Sequence, residues 1–175
     1  MSKVAIVGNP SGTGVFTIQS PNTSTDRTLT LPDSTGTVDT LQRAGNILQV
    51  VHASTTTSAT TSSATLVDTG FSASITPTSA SNKILILFDI ELIHPSGGMG
   101  FGIYRDASLI YEDATNYAVY ITLAATRRRI PFTYFDSPAT TSNISYKLYM
   151  KSFSGSSGIC NDGNATKVTL MEIAA

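Results

Sequence analysis

The run Lys83–Ile93, KILILFDIELI, limits the fold more than any other stretch. Every position from Ile84 to Phe88 is apolar. Beyond that, Phe88, Ile90 and Leu92 alternate with Asp89 and Glu91. A strand sends successive side chains to opposite faces, so this pattern predicts a strand covered on both faces in its first half and on one face in its second. At about 3.4 Å per residue it spans roughly 37 Å, long for a strand. Ser81-Asn82 before it and Pro95-Ser96-Gly97-Gly98 after it are turn chemistry.

No long stretch shows helical periodicity. From residue 46 onward the pattern gives nine or ten strands: Ile47–Ala53, Ala64–Asp68, Phe71–Thr76, Lys83–Ile93, Gly98–Arg105, Ser108–Glu112, Tyr117–Ala124, Arg128–Asp136, Ile144–Ser152 and Lys167–Ile173. Short strands with turn signals every 8–12 residues predict an all-β protein, a jelly-roll-like β-sandwich. Asp106-Ala107 reads as a tight hairpin, and Asp162-Gly163 is a type I′ hairpin signal. The polar, low-complexity run Ser54–Ser63 reads as a mobile or edge-strand loop.

Residues 1–45 are of another kind. Short apolar beads (Val4–Val7, Val15–Ile18, Leu29–Leu31 and Val38) are separated by Gly, Pro, Asn, Ser and Thr. None is long enough to make a stable sheet alone, so the segment is predicted to be an attachment and oligomerisation arm, ordered by pairing with other surfaces. Residues 46–175 are the head. Asp39–Gly45 offers one helical turn between them, with Asp39 as cap and Gly45 as terminator.

Only 13% of residues are charged and the formal net charge is −1, which removes the electrostatic case for nucleic acid or an anionic membrane as partner. The single cysteine, Cys160, rules out an intramolecular disulfide. The first residues hold too short an apolar run for a signal peptide, and no window approaches the ~18 apolar residues of a membrane span. The expectation is synthesis in a cytoplasm without a secretion address.

Candidate chemistry is sparse. His52 and His94 are the two histidines, and nothing in the spacing supplies the partners of a triad or zinc site. Asp89 and Glu91 share a strand face, as do Arg127 and Arg129. Two carboxyls on one face suit acid–base or metal chemistry; the plainer reading is a cross-strand ion-pair cluster. Gly8–Gly14 (GNPSGTG) misses the phosphate-loop pattern: Thr13 stands where the second glycine belongs and no lysine follows. The run 161–164 lacks the acidic repeat of a calcium loop. Cys160 has no visible activating base and reads as an inert thiol. No cofactor motif is present. The tyrosines at 104, 111, 117, 120, 134, 146 and 149 suit core and interface packing, or stacking on sugar where exposed.

The stretch Gly14–Val38, GVFTIQSPNTSTDRTLTLPDSTGTV, resembles a segment that recurs in bacteriophage and prophage tail-fibre and other virion structural proteins. DRTLTLPDSTGTV is its most specific part. The pieces 46–51, 68–77, 81–86 and 170–173 look like the C-terminal module often found behind that segment in marine phages. The resemblance implies a virion location and a trimer with a β-structured arm and head. Long receptor fibres carry long shafts, whereas only about 45 residues precede the head here. That favours a short spike, a fibre-tip adaptor or a capsid-decorating protein. Three copies about an axis would bring Val15 or Phe16, Ile18, Leu29, Leu31 and Val38 together, or lay them on a shell of other virion proteins. A host-surface glycan is the alternative partner, and a virion-borne glycan depolymerase resting on Asp89 and Glu91 is the third reading.

Overall fold

The computed structural model describes residues 10–15, 17, 19, 22–26, 28 and 43–175, except 95–96, 114–117, 123–125 and 161–162. The chain divides into two compact units, residues 1–37 and 38–175. In the first, residues 10 and 11 form a turn and the Thr25 amide donates to Thr23 Oγ1 at 3.1 Å. Of the proposed helical turn, residues 39–42 lie outside the described residues. Residues 44 and 45 form a turn, with Gly45 at φ +86°.

The second unit holds eleven strands: β1 Ile47–Thr55, β2 Ala59–Thr61, β3 Val67–Ile75, β4 Lys83–His94, β5 Gly97–Arg105, β6 Ser108–Glu112, β7 Val119–Ile121, β8 Thr126–Asp136, β9 Ile144–Ser152, β10 Ser157–Ile159 and β11 Thr166–Ile173. No helix occurs among the described residues. All strand pairs are antiparallel.

β4 pairs with β8 along its length on one edge. On the other it meets β11 through residues 83–89 and β10 through 92–93. β1 then flanks β11 and β2 flanks β10. The second sheet runs β3, β9, β5, with β7 and β6 sharing the far edge of β5. Taking β1 with β2, β6 with β7 and β10 with β11 as broken single strands leaves eight positions. The first sheet holds the first, eighth, third and sixth in that order; the second holds the second, seventh, fourth and fifth. That order is a jelly roll, so the fold expected from sequence is the one observed.

The core lies between the sheets. Ile84, Ile86, Phe88, Ile90 and Leu92 of β4 point inward. They face Phe71 and Ile75 of β3, Phe101 and Ile103 of β5, and Tyr146, Leu148 and Met150 of β9. Burying five such side chains stabilises by roughly 10 kcal/mol before the cost of ordering them. Phe71 meets Phe88 edge-on at 6.4 Å, locking one sheet on the other.

Several elements depart from expectation. Leu85 and Leu87 are half-buried rather than covered on both faces, because nothing described is stacked outside β4 there. Glu91, expected to face solvent, is 3% exposed. The two strands expected at 64–68 and 71–76 are one strand, β3. Its register shifts between Asp68 and Ser72, where Gly70 takes φ +75° and its amide bonds Asp68 Oδ1 at 2.8 Å. That is a β-bulge, and its turn-like residues mimic a break. Part of the Ser54–Ser63 run, β2, is an edge strand on β10. The strand expected at 117–124 reduces to β7, with Tyr117, Leu123 and Ala124 outside the described residues.

Candidate functional site

Four polar clusters hold the head together, and one of them is incomplete. At the end of the first sheet Glu172 is fully buried on β11. Its Oε1 accepts from the Thr78 amide (2.7 Å), Thr78 Oγ1 (2.8 Å) and Asn82 Nδ2 (2.6 Å), and its Oε2 from Gln49 Nε2 (2.6 Å). Burial alone would raise its pKa. Hydrogen bonds from Asn82, Gln49 and Thr78 outweigh burial and hold the carboxyl below the usual range.

Between the sheets Asp136 accepts from the Tyr146 hydroxyl at 2.7 Å and from Arg105 Nη1 at 2.9 and 3.1 Å. Burial, then the hydrogen bond to Asp136 and its charge, push the Tyr146 phenol far up. On the second sheet Lys151 bonds Glu112 at 2.6 Å. All three are structural ties.

The fourth cluster holds the residues singled out as a possible acid–base pair. Asp89 and Glu91 do share the outer face of β4, with Pro131 and Arg129 opposite them on β8. Arg129 grips Asp89 through Nε (2.9 Å) and Nη2 (2.5 Å) and also donates to the Ala165 carbonyl. The Arg129 hydrogen bonds hold the Asp89 carboxyl below its ordinary value. This is the opposite of what a general acid needs. The ion-pair reading therefore describes Asp89. It does not describe Glu91, whose two carboxyl oxygens are buried without a hydrogen-bond partner among the described residues. Glu91, Arg127, Arg128, Arg129 and Asn164 line a cleft of about 220 Å³. Beside it, Val119, Tyr120, Ile121, Thr122, Arg128 and Ile130 line another of about 270 Å³.

The remaining candidates are quickly placed. His52 Nδ1 lies 3.1 Å from Thr169 Oγ1 on the sheet surface. The His94 side chain lies outside the described residues. Cys160 is buried, and its thiol donates to the Thr55 carbonyl at 3.3 Å. Tyr146 belongs to the core, Tyr104 stacks on Tyr149 at 4.0 Å, and Tyr120 is 60% exposed. Asp106-Ala107 is the expected hairpin turn. Of the hairpin signal Asp162-Gly163, only Gly163 is described, at φ +77°. Among the described residues no three or more His, Cys, Asp or Glu gather as metal ligands. No described helix is long and apolar enough to cross a membrane.

Of the arm residues proposed as an interface, Val15 is exposed. Phe16, Ile18, Leu29, Leu31 and Val38 lie outside the described residues.

One feature is only partly legible in the sequence, where Leu85 belongs to a run that is apolar at every position. Cross-strand partners share a face, and the register aligns Val50, Met171, Leu85 and Phe135 in one row across the outside of the first sheet. Val50 is 56% and Phe135 54% exposed. Each strand contributes one residue to the row, so only the register assembles it.

No family model matches the sequence, and neither does any curated protein. Solved structures do match. The VP2 subviral particle of infectious bursal disease virus superposes with a TM-score of 0.47 at 15% identity, over 72% of this chain and 32% of that one. The Gx strain of the same virus gives 0.45 at 18% identity, over 72% and 32%. T=1 particles derived from that virus give 0.43 at 15% identity, over 82% and 39%. The chain spans about a third of the length of these proteins. The assignment as a jelly roll rests on the strand order and register above.

Proposed function

We propose that the chain is a non-enzymatic bacteriophage virion protein, a small trimeric surface projection of the capsid-decorating or short-spike kind, anchored by its N-terminal arm. One observation carries the reading. A jelly-roll head follows a segment, Gly14–Val38, whose sequence resembles one recurring in phage virion proteins. A jelly roll alone hosts many functions, so the weight falls on the combination. The mechanism is assembly. The arm's apolar beads are buried on the particle, and binding to the assembled shell stabilises that shell by mass action. Removing residues 1–38 should leave a head that melts cooperatively and no longer co-sediments with particles. Continued co-sedimentation of the shortened chain would sink the arm's assigned role.

The second reading, a glycan-binding tip, is favoured by one observation: Tyr120 stands exposed at the lip of the cleft that also holds Arg128. An aromatic face beside a hydrogen-bond donor suits a sugar ring. Binding on a glycan array that disappears with Tyr120→Ala would favour it over a purely structural role.

A further inference from the structure

A carboxyl group taken out of water costs stability unless hydrogen bonds replace the water. Glu172 and Asp136 have such replacements. Glu91 does not. It is 3% exposed, and neither of its carboxyl oxygens has a hydrogen bond among the described residues. It also lines the cleft of about 220 Å³. We propose that this cleft is a saccharide subsite, in which Glu91 accepts hydrogen bonds from sugar hydroxyls and Arg128 donates to sugar oxygens. The proposal rests on the glycan-binding reading and deepens it, adding a recognition residue and a second subsite beside Tyr120.

The backbone fixes where the carboxyl stands. Glu91 lies where β4 passes from β11 to β10. Its amide donates to Thr166 Oγ1 at 3.1 Å, and its carbonyl accepts from the Cys160 amide at 3.2 Å. A side chain held on both sides in this way is a preorganised acceptor.

The lining selects the class of ligand. Arg127, Arg128, Arg129 and Asn164 surround Glu91. An ammonium group or a divalent cation would suit the carboxyl but meet three guanidinium groups. A sulfate or phosphate would suit the guanidinium groups but bring negative charge to the carboxyl and leave its oxygens without donors. A hydroxyl group both donates and accepts, so a polyol satisfies the carboxyl, the guanidinium and the amide together. Arg129 is already engaged by Asp89 and the Ala165 carbonyl. That leaves Arg128, which lines both clefts, as the shared donor.

Size points to more than one sugar ring. The clefts measure about 220 and 270 Å³. Small-molecule sites run from about 300 to 1,000 Å³, a range that the two reach only together. Tyr120, 60% exposed in the second cleft, offers an aromatic face to the second ring. Arg127 and Arg128 are exposed. Exposed side chains change rotamer rapidly, so a ligand reaches the enclosed carboxyl by moving arginine side chains rather than backbone.

The test uses the full-length chain on an array of neutral and uronic-acid-containing di- to tetrasaccharides. The strongest binder is then titrated calorimetrically, with sodium sulfate titrated separately. Glu91→Gln keeps the side chain's shape but exchanges one acceptor oxygen for a donor. The expected result is saccharide binding that Glu91→Gln and Arg128→Ala each weaken at least ~10-fold, and sulfate binding weaker than saccharide binding. Circular dichroism and melting check that each variant folds. If Glu91→Gln does not fold, the exposed substitution Arg128→Ala decides alone. A folded variant of either kind that binds as the parent does overturns the proposal. So does sulfate bound more tightly than any saccharide, which would make the cleft an anion site. Binding lost in Tyr120→Ala but unchanged in Glu91→Gln and Arg128→Ala overturns the proposal and leaves the glycan reading standing. A parent chain that binds no saccharide sinks both.

Discussion

Arg129 stands directly across the sheet from Glu91, yet its guanidinium is committed to Asp89, two residues back along the same strand. The two carboxyl oxygens of Glu91 are left buried without a hydrogen bond among the described residues. The two carboxyls look equivalent in sequence and differ sharply in surroundings. Asp89 has a side chain 45% exposed, whereas Glu91 is almost fully enclosed.

That difference predicts unequal mutational costs. Asp89→Asn removes one side of an exposed pair and should cost at most about 1 kcal/mol. Arg129→Ala should cost about 2–3 kcal/mol, because it also strips a nearby cation from a buried carboxyl group whose oxygens have no hydrogen bond among the described residues. Glu91→Gln should make Arg129→Ala nearly as mild as Asp89→Asn. Urea unfolding of the four single and double variants gives the coupling directly. Additive effects at Glu91 and Arg129 would refute the arrangement.

Glu172 predicts the acid limb of stability. Its folded carboxyl lies below the ordinary 4.5, so its contribution is present above that value and lost as pH falls through the folded one. At pH 7, Glu172→Gln should cost about 2–3 kcal/mol, through lost charge-assisted hydrogen bonds from Asn82, Gln49 and Thr78. The gap between parent and variant should then narrow as pH drops below 4.5. Melting temperatures from pH 3 to pH 7 would show it. A gap that stays constant would mean that the charge contributes nothing.

Tyr146 governs the alkaline limb. Its phenol is held far above the ordinary 10 by burial and by its bond to Asp136. A raised folded value means stability fully present below pH 10 and eroded as pH rises, because the unfolded chain ionises first. Tyr146→Phe should cost about 1–2 kcal/mol at pH 7 and flatten the decline above pH 10. Urea midpoints at pH 7, 9 and 10.5 are the measurement. An equally steep decline in the variant would contradict the assignment.

Much of the fold was readable along the chain because it is written in alternation. Ile144, Tyr146, Leu148 and Met150 announce an inward face, and that is where they lie. β2 and β10 could not be read that way. ATT and SGI carry no apolar pattern and become strands only because β4, which extends past β11, offers β10 an edge and β10 in turn offers one to β2. The burial of Glu91 was hidden for a related reason. Period-two logic separates the two faces of a strand but cannot say whether the outer face meets water or neighbouring chain. The arginines at 127 and 129 were visible as a shared face, whereas the choice of Asp89 over Glu91 needed the register of β8.

Gly158 shows how closely the broken strand is fitted. It lies opposite Thr60 in the pairing of β10 with β2. A Cβ placed there would stand 2.9 Å from Thr60 Cγ2 and 3.0 Å from the Ala59 carbonyl oxygen. The second of these is backbone and cannot swing away, so a strand glycine here marks a close approach rather than a flexible point. Gly158→Ala should therefore pry β2 from β10 at a cost of about 1–3 kcal/mol. The damage should stay local, because β4 retains β8 on one edge and β11 on the other. Hydrogen exchange should speed up at residues 59–61 and 157–159 while amides of β4 and β9 keep their protection. Unchanged exchange at residues 59–61 would show that the space beside Gly158 is larger than its neighbours imply.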